Sequence, residues 1–260
     1  MESTSGKSRI NKELIPVPYF LENYFAEMEV HPRVQHKRNS DPVGLSLASE
    51  KAMDMREKDG MSDDDSISVI QRRLKSLKLV HKIMLLVVLE PMVEETKAEF
   101  FRRKLGYEKV ITNNSKKIWI FHSFDISYEV ILNHNQCLHV SLSFQWLECP
   151  ILATFVYVKC TRTERIPLWI VLRSLSVDIR VPWLVGGDFN VILNRAERLY
   201  GASPHAGSMD DFAATLLDYG LVDGGFEGNT YTWTNSHVFQ RLDRIVYNHQ
   251  WMGLLPITRV

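Results

Sequence analysis

Three short stretches put acidic or amide side chains where apolar runs stop. Leu85-Leu86-Val87-Val88-Leu89 ends on Glu90. Trp183-Leu184-Val185-Gly186-Gly187 ends on Asp188, with Asn190 two residues on. Asp243 lies inside Arg241-Leu242-Asp243-Arg244, ahead of Ile245-Val246-Tyr247. A carboxylate in such apolar company is costly unless it is paired, hydrogen-bonded or bound to a metal. Two or three convergent carboxylates with an amide make a hard-oxygen site suited to Mg²⁺. Each stretch also has a plainer reading. Glu90 before a proline is equally a strand-end residue facing solvent. Asp243 between two arginines is equally half of a structural ion pair. Asp188 and Asn190 project to one side of an extended chain, but an Asx turn would use them too.

These residues need elements to hold them. Ile67, Ile70, Leu74, Leu77 and Val80 recur at helical spacing after Asp65 or Ser66, which can cap a helix over 67–80. Ile83 to Leu89 reads as a buried strand ended by Glu90-Pro91. Residues 96–105 read as a helix stopped by Gly106. Strand-like runs follow at 107–112, 116–122, 127–133, 136–145 and 151–157. In the fourth, His139, Ser141 and Ser143 alternate with Val140, Leu142 and Phe144, which predicts one polar and one buried face. Helices are expected over 163–178, with Leu168, Leu172 and Leu175 inward, and over 208–219. The last strands are expected at 183–185, 231–234 and 240–247. Irregular alternation with several hairpins predicts an α/β (α+β) fold of two packed sheets with helices outside, not a doubly wound parallel sheet.

The 260-residue chain has 45% hydrophobic and 24% charged residues, which fits a globular protein and excludes wholesale disorder. Its 31 basic and 31 acidic residues cancel, so the whole chain is neither a strongly basic nor an acidic polyelectrolyte. The balance is uneven along the chain: residues 1–66 hold 9 Lys+Arg and 13 Asp+Glu, and 67–260 hold 22 and 18. The first segment, with prolines at 16, 18, 32 and 42 and little periodicity, is expected to be a mostly disordered acidic tail, with a short helix at 19–29 or 45–58 as an option. The folded domain is expected over 67–260. Cys137, Cys149 and Cys160 form no Cys-x-x-Cys pair, so a zinc knuckle or redox motif has no support. No phosphate-binding glycine loop or Gly-x-Ser-x-Gly elbow is present. His81, His122, His134, His139, His205 and His237 show no metal-ligand spacing. Met1 to Lys12 is polar, and no apolar run reaches the ~20 residues of a spanning helix. An intracellular protein without a membrane segment is therefore expected, the nucleus included among its compartments; oligomeric state leaves no mark.

Taken together, Leu89-Glu90, Phe155-Val156-Tyr157, Gly187-Asp188-Phe189-Asn190, Thr232-Trp233-Thr234 and Arg241-Leu242-Asp243-Arg244 occur in an order that resembles the endonuclease/exonuclease/phosphatase family, the DNase I-like fold. The wording of Pro182 to Asn190 and of Phe239 to Arg244 is similar to the endonuclease region of plant LINE-type retroelements, which accompanies a reverse transcriptase. The resemblance covers 67–260. It implies a two-sheet β-sandwich flanked by helices, Mg²⁺ (or Mn²⁺) as cofactor, DNA as partner, and hydrolysis of a phosphodiester. It implies Glu90 as the metal ligand and Asp188 as the group that orients or deprotonates the attacking water. Asn190 would hydrogen-bond the scissile phosphate, Tyr157 would donate to a phosphate or leaving oxygen, and Asp243 would support the site from behind. Trp233 stands in a motif near the site.

The chain also departs from the family pattern. The family's first motif is an Asn on a strand ahead of the metal Glu, yet no Asn lies between Asn39 and Asn113, and the acidic stretch at 61–65 cannot make a buried strand. The family's Ser-Asp-His element is not found after Asp243, and His249 has no Asp before it. Val158-Lys159-Cys160 stands where many members carry a proline and an asparagine. These departures imply a domain truncated at both ends, with weak or lost activity. The alternative is a relic that binds nucleic acid or protein without turnover.

Overall fold

The structure, a computed structural model, describes residues 19–22, 63–226 and 228–254. Strands β1 (Tyr19–Glu22), β2 (Leu85–Leu89), β3 (Lys109–Thr112) and β4 (Ile118–His122) form one sheet in the order β1-β2-β4-β3. A second sheet takes β5 (Ile126–His134), β6 (Cys137–Phe144), β7 (Ile151–Tyr157) and β8 (Trp183–Asp188). Of the later strands β9 (Arg198–Leu199), β10 (Val222–Asp223), β11 (Trp233–Thr234), β12 (Phe239–Gln240) and β13 (Asp243–Tyr247), β10 and β13 complete it in the order β10-β13-β8-β7-β6-β5. The other three make a small sheet, β11-β12-β9. The helices are α1 (Asp63–His81), α2 (Ala98–Leu105), α3 (Arg162–Asp178), α4 (Ala206–Asp218) and α5 (His249–Leu254).

The apolar run of β2 is explained by having two covered faces. Leu85, Val87 and Leu89 meet Leu138, Val140 and Phe155 of the second sheet. Leu86 and Val88 point the other way, onto Leu74 of α1 and Phe101 and Leu105 of α2. On the far side, Val156, Trp183, Val185 and Val246 pack under Leu168 and Leu172 of α3 and Phe212 and Leu216 of α4. The result is two sheets face to face with helices on both outer faces, the architecture expected. Each fully buried Leu or Val contributes roughly 1.5–3 kcal/mol.

Several sequence expectations need correction. The reading of 1–66 as a mostly disordered tail, with a short helix at 19–29 or 45–58 as an option, provides no strand beside β2. Tyr19–Glu22 instead pairs in parallel with it, Glu22 opposite Leu89. The rest of 1–62 lies outside the described residues. Helix α1 starts at Asp63, four residues before the expected 67, which puts Asp63 to Asp65 in its first turn, where negative charge is favourable. Val80, expected inward, is 71% exposed. The 240–247 strand divides: β12 joins the small sheet and β13 the large one. Between them the Arg241 N–H turns to Glu197 O and the Leu242 N–H to Thr232 Oγ1.

Strand β6 alternates only in its second half. Cys137, Leu138, His139 and Val140 are all buried because the helix layer covers the second face there. His139 Nδ1 lies 2.7 Å from Thr154 Oγ1, which also accepts from Trp183 Nε1 at 2.8 Å. Burial holds the His139 imidazole down to about 4. An unfolded histidine titrates near 6.5. The unfolded chain therefore binds the extra proton first, and stability falls as pH drops from about 6.5 toward 4. Urea unfolding at pH 7 and pH 5 is expected to show this loss, and His139→Gln to reduce it.

Helix α3 begins with a reciprocal cap. Thr161 Oγ1 accepts from the Glu164 N–H and donates to Glu164 Oε2. Thr161→Ala is expected to cost about 1 kcal/mol in equilibrium unfolding.

Candidate functional site

The two sheets deliver side chains to one end of the sandwich. Strand β7 ends on Tyr157, which stands beside Asp188, the last residue of parallel β8. Asp188 in turn faces Asp243, the first residue of antiparallel β13. Tyr157, Asp188 and Asp243 thus sit side by side on three neighbouring strands. Glu90 arrives from the other sheet. Its backbone N–H donates to Lys117 O at 2.7 Å and its φ is 44°, so the chain turns sharply as it leaves β2. Glu90, Tyr157, Asp188 and Asn190 line a single cleft of ≈ 600 Å³. The same cleft is lined by Arg162, Arg198, His205 and Trp233 and by the apolar cluster of Ile192, Met209 and Leu242.

Gly187 makes the close approach of β8 to β7 achievable. Its φ is 139°, and a Cβ there would lie 2.1 Å from Val156 O. After it, Asn190 takes a left-handed φ of 48°. The Asn190 N–H donates to Asp188 Oδ1 at 2.7 Å, and its Nδ2 donates to Asp188 Oδ2 at 2.8 Å and to Val158 O at 2.7 Å. The Asx turn and the shared site are therefore one arrangement: the turn fixes both oxygens of the Asp188 carboxylate at the cleft wall.

The Tyr157 hydroxyl bonds to Glu90. Burial, then the Glu90 bond and the charges of Glu90 and Asp188, push its phenol well above the usual range, so it is a donor at any physiological pH. Burial and the Asp188 charge likewise raise the Cys160 thiol, which stays neutral. Buried Arg165 ties the neighbouring loops together, donating to Lys159 O, Cys160 O and Asn190 O at 2.9, 2.5 and 2.7 Å.

Asp243 is not the partner of its flanking arginines. Arg241 and Arg244 instead share Glu197 and Asp223 in a buried four-charge cluster, with Arg244 Nη2 2.7 Å from Glu197 Oε2 and Nη1 2.6 Å from Asp223 Oδ2. Burial would raise the Asp223 carboxyl, but Arg241, Arg244 and the Gly225 N–H outweigh it and hold it below the ordinary value. Both carboxylate oxygens of Asp243 are buried without a hydrogen-bond partner, while its backbone N–H donates to Thr232 Oγ1 at 3.0 Å. A buried carboxylate left so calls for a cation or a proton donor.

The matching family model is that of the endonuclease/exonuclease/phosphatase family, over residues 110–254, more than half of the chain. The chain belongs to this family. The matched span includes Tyr157, Asp188, Asn190 and Asp243; Glu90 lies outside it, ahead of residue 110. Solved structures share the fold. The endonuclease domain of TRAS1, a telomere-specific non-LTR retrotransposon, is 17% identical, with a TM-score of 0.52, 71% of this chain and 81% of that one covered. AP endonuclease LMAP from Leishmania major is 15% identical, with a TM-score of 0.52 and coverage of 68% and 73%. The 3' phosphatase NExo from Neisseria, bound to product DNA hairpin, is 16% identical, with a TM-score of 0.50 and coverage of 70% and 82%. No curated protein matches the chain by sequence.

Of the residues singled out in the sequence, Glu90, Tyr157, Asp188 and Asn190 line one cleft, and Asp243 stands beside Asp188 on the adjoining strand without lining it. Sequence reasoning pointed to these. It missed Lys117, whose Nζ lies 3.3 Å from Glu90 Oε1, and nothing in the sequence around it points there. It missed Arg165 as well. The Glu197 and Asp223 partners had a signal: two arginines beside an apolar strand require buried carboxylates, and Asp223 follows the apolar pair Leu221-Val222. His249 starts α5 and is exposed. Among the described residues no helix is long and apolar enough to cross a membrane.

Proposed function

We propose that the protein is a Mg²⁺-assisted phosphodiester hydrolase of the endonuclease type, descended from a LINE-type retroelement and acting on DNA. The observation that carries this reading is the juxtaposition of Glu90 from one sheet with Tyr157 and Asp188 from the other, around one cleft. Family membership supports a phosphate-bearing substrate, and Arg198 lines the cleft; Arg162, also in the lining, is paired with Asp211 at 2.6 Å. Among the described residues no group of three or more His, Cys, Asp or Glu is placed to hold a metal ion by itself. Mg²⁺ does not need one, because it keeps several waters and takes one or two carboxylates plus substrate phosphates. The hard-oxygen donors on this rim, and the unpartnered Asp243 carboxylate beside them, fit such an ion. Glu90 would hold it, and Mn²⁺ would bind in the same way.

Bound there, the ion would supply neutralisation of charge on the phosphoryl oxygens. The chain's own groups do the rest. Asp188, fixed at both oxygens by Asn190, accepts the proton of the attacking water. Tyr157, a protonated phenol, donates to a phosphate or leaving oxygen. Asp243 supplies negative charge behind Asp188. Turnover is expected to be slow, because the Asn190 amide is held on Val158 O and Asp188 and Cys160 stands in the loop after Tyr157. The same features favour a second reading, a DNA-binding relic without turnover. Conversion of supercoiled plasmid to open circles in Mg²⁺, stopped by EDTA, supports hydrolysis; DNA binding with no nicking supports the relic.

A further inference from the structure

Lys117 is not an ordinary surface lysine. Its backbone is locked in the β3–β4 turn by Asn113, a fully buried residue whose Oδ1 accepts from both the Lys117 and Ile118 N–H groups at 3.0 Å. The Lys117 carbonyl in turn holds the Glu90 N–H at 2.7 Å. The two residues are therefore fixed backbone to backbone, and the Lys117 ammonium reaches back to 3.3 Å from Glu90 Oε1. Glu90 is thereby engaged on two sides, by the Tyr157 hydroxyl and by this ammonium. Its neighbour Lys116 turns away to Glu95, at 2.6 Å. The side chains of Lys117 and Glu90 are 40% and 24% exposed, so the pair is partly screened yet not free in solvent.

We propose that Lys117 is a positioning residue that competes with a divalent cation for Glu90 and so sets the metal affinity of the site. The inference rests on the metal reading given above. An ammonium and a divalent ion on one carboxylate repel each other, so the Lys117 contact on Glu90 opposes metal binding. Removing the ammonium frees the carboxylate. Across a partly exposed pair the gain is about threefold to tenfold in affinity. Shape is not the determinant: an arginine at 117 retains the competing charge.

The test is Mn²⁺ binding to the full chain, read as the loss of the free-ion electron paramagnetic resonance signal. Wild type is compared with Lys117→Met, Lys117→Arg, Lys116→Met and Glu90→Gln. Lys117→Met is expected to bind about threefold to tenfold more tightly, with Lys117→Arg and Lys116→Met near wild type and Glu90→Gln weaker. Equal tightening by Lys116→Met would reduce the effect to net charge and overturn the proposal. Unchanged affinity in Lys117→Met, or no Mn²⁺ binding by any form, overturns it as well. Tighter binding by Lys117→Met in a chain that nicks no DNA upholds the competition while removing the hydrolase reading.

Discussion

Glu90→Ala and Asp188→Ala are each expected to lower Mg²⁺-dependent plasmid nicking by about 10³-fold or more, to the level of the metal-free control. The two losses have different causes. Glu90→Ala removes the carboxylate that would hold the ion, so raising Mg²⁺ should not restore the rate. Asp188→Ala removes the proposed proton acceptor and also the anchor of the Asn190 turn, because both Asp188 oxygens accept from Asn190. Asp188→Asn separates these contributions: it retains one acceptor oxygen for the turn but cannot take a proton. It is expected to fall as far in rate as Asp188→Ala while unfolding closer to wild type. Groups that act as a unit are not additive, so the double variant should be hardly slower than either single one. Nicking that survives either substitution would place the chemistry elsewhere.

Arg244→Ala is expected to have the largest effect on folding, a loss of about 3–5 kcal/mol. Arg244 is 1% exposed and makes charged hydrogen bonds to both Glu197 and Asp223. Removing it leaves two buried carboxylates with Arg241 alone. The cluster joins the turn at Arg195–Glu197, the end of β10 and the entry to β13, so its loss loosens the strand that carries Asp243. The sign of the pH dependence follows from Asp223. Its folded carboxyl lies below the ordinary value, so its contribution is complete above the unfolded pKa and is lost as pH falls through the folded one. Chemical denaturation of wild type and Arg244→Ala at pH 7 and pH 3.5 checks both statements. A wild-type midpoint that does not fall at pH 3.5 would contradict the assignment.

Much of this arrangement was legible in the sequence because its signals are local. The period of two and the runs of β-branched residues locate β2 and β4 to β8, and the glycine pair before Asp188 marks a forced close approach. The carboxylates at strand ends stand out because their neighbours are apolar. What was not legible depends on contacts distant along the chain. Tyr19-Phe20-Leu21 stands out in its segment only as a three-residue apolar patch, too short to announce a strand, and it pairs along the edge of β2. His139 sits at a polar position of an alternating strand, yet a helix from residues 162–178 closes over that face. The arginines beside Asp243 look like its partners in sequence, but Arg244, its strand neighbour, points to the opposite face, Arg241 lies in the break before β13, and their carboxylates come from Glu197 and Asp223. Lys117 reaches Glu90 only through a hairpin turn whose geometry Asn113 dictates.

The most direct measurement of the central claim, that carboxylates from two sheets make one cation-holding pocket, is anomalous diffraction from crystals soaked in Mn²⁺. A single strong peak against the Glu90 carboxylate, on the side facing Asp188 and Tyr157, is the predicted result. Peaks only at other surface carboxylates, with none at Glu90, would contradict it.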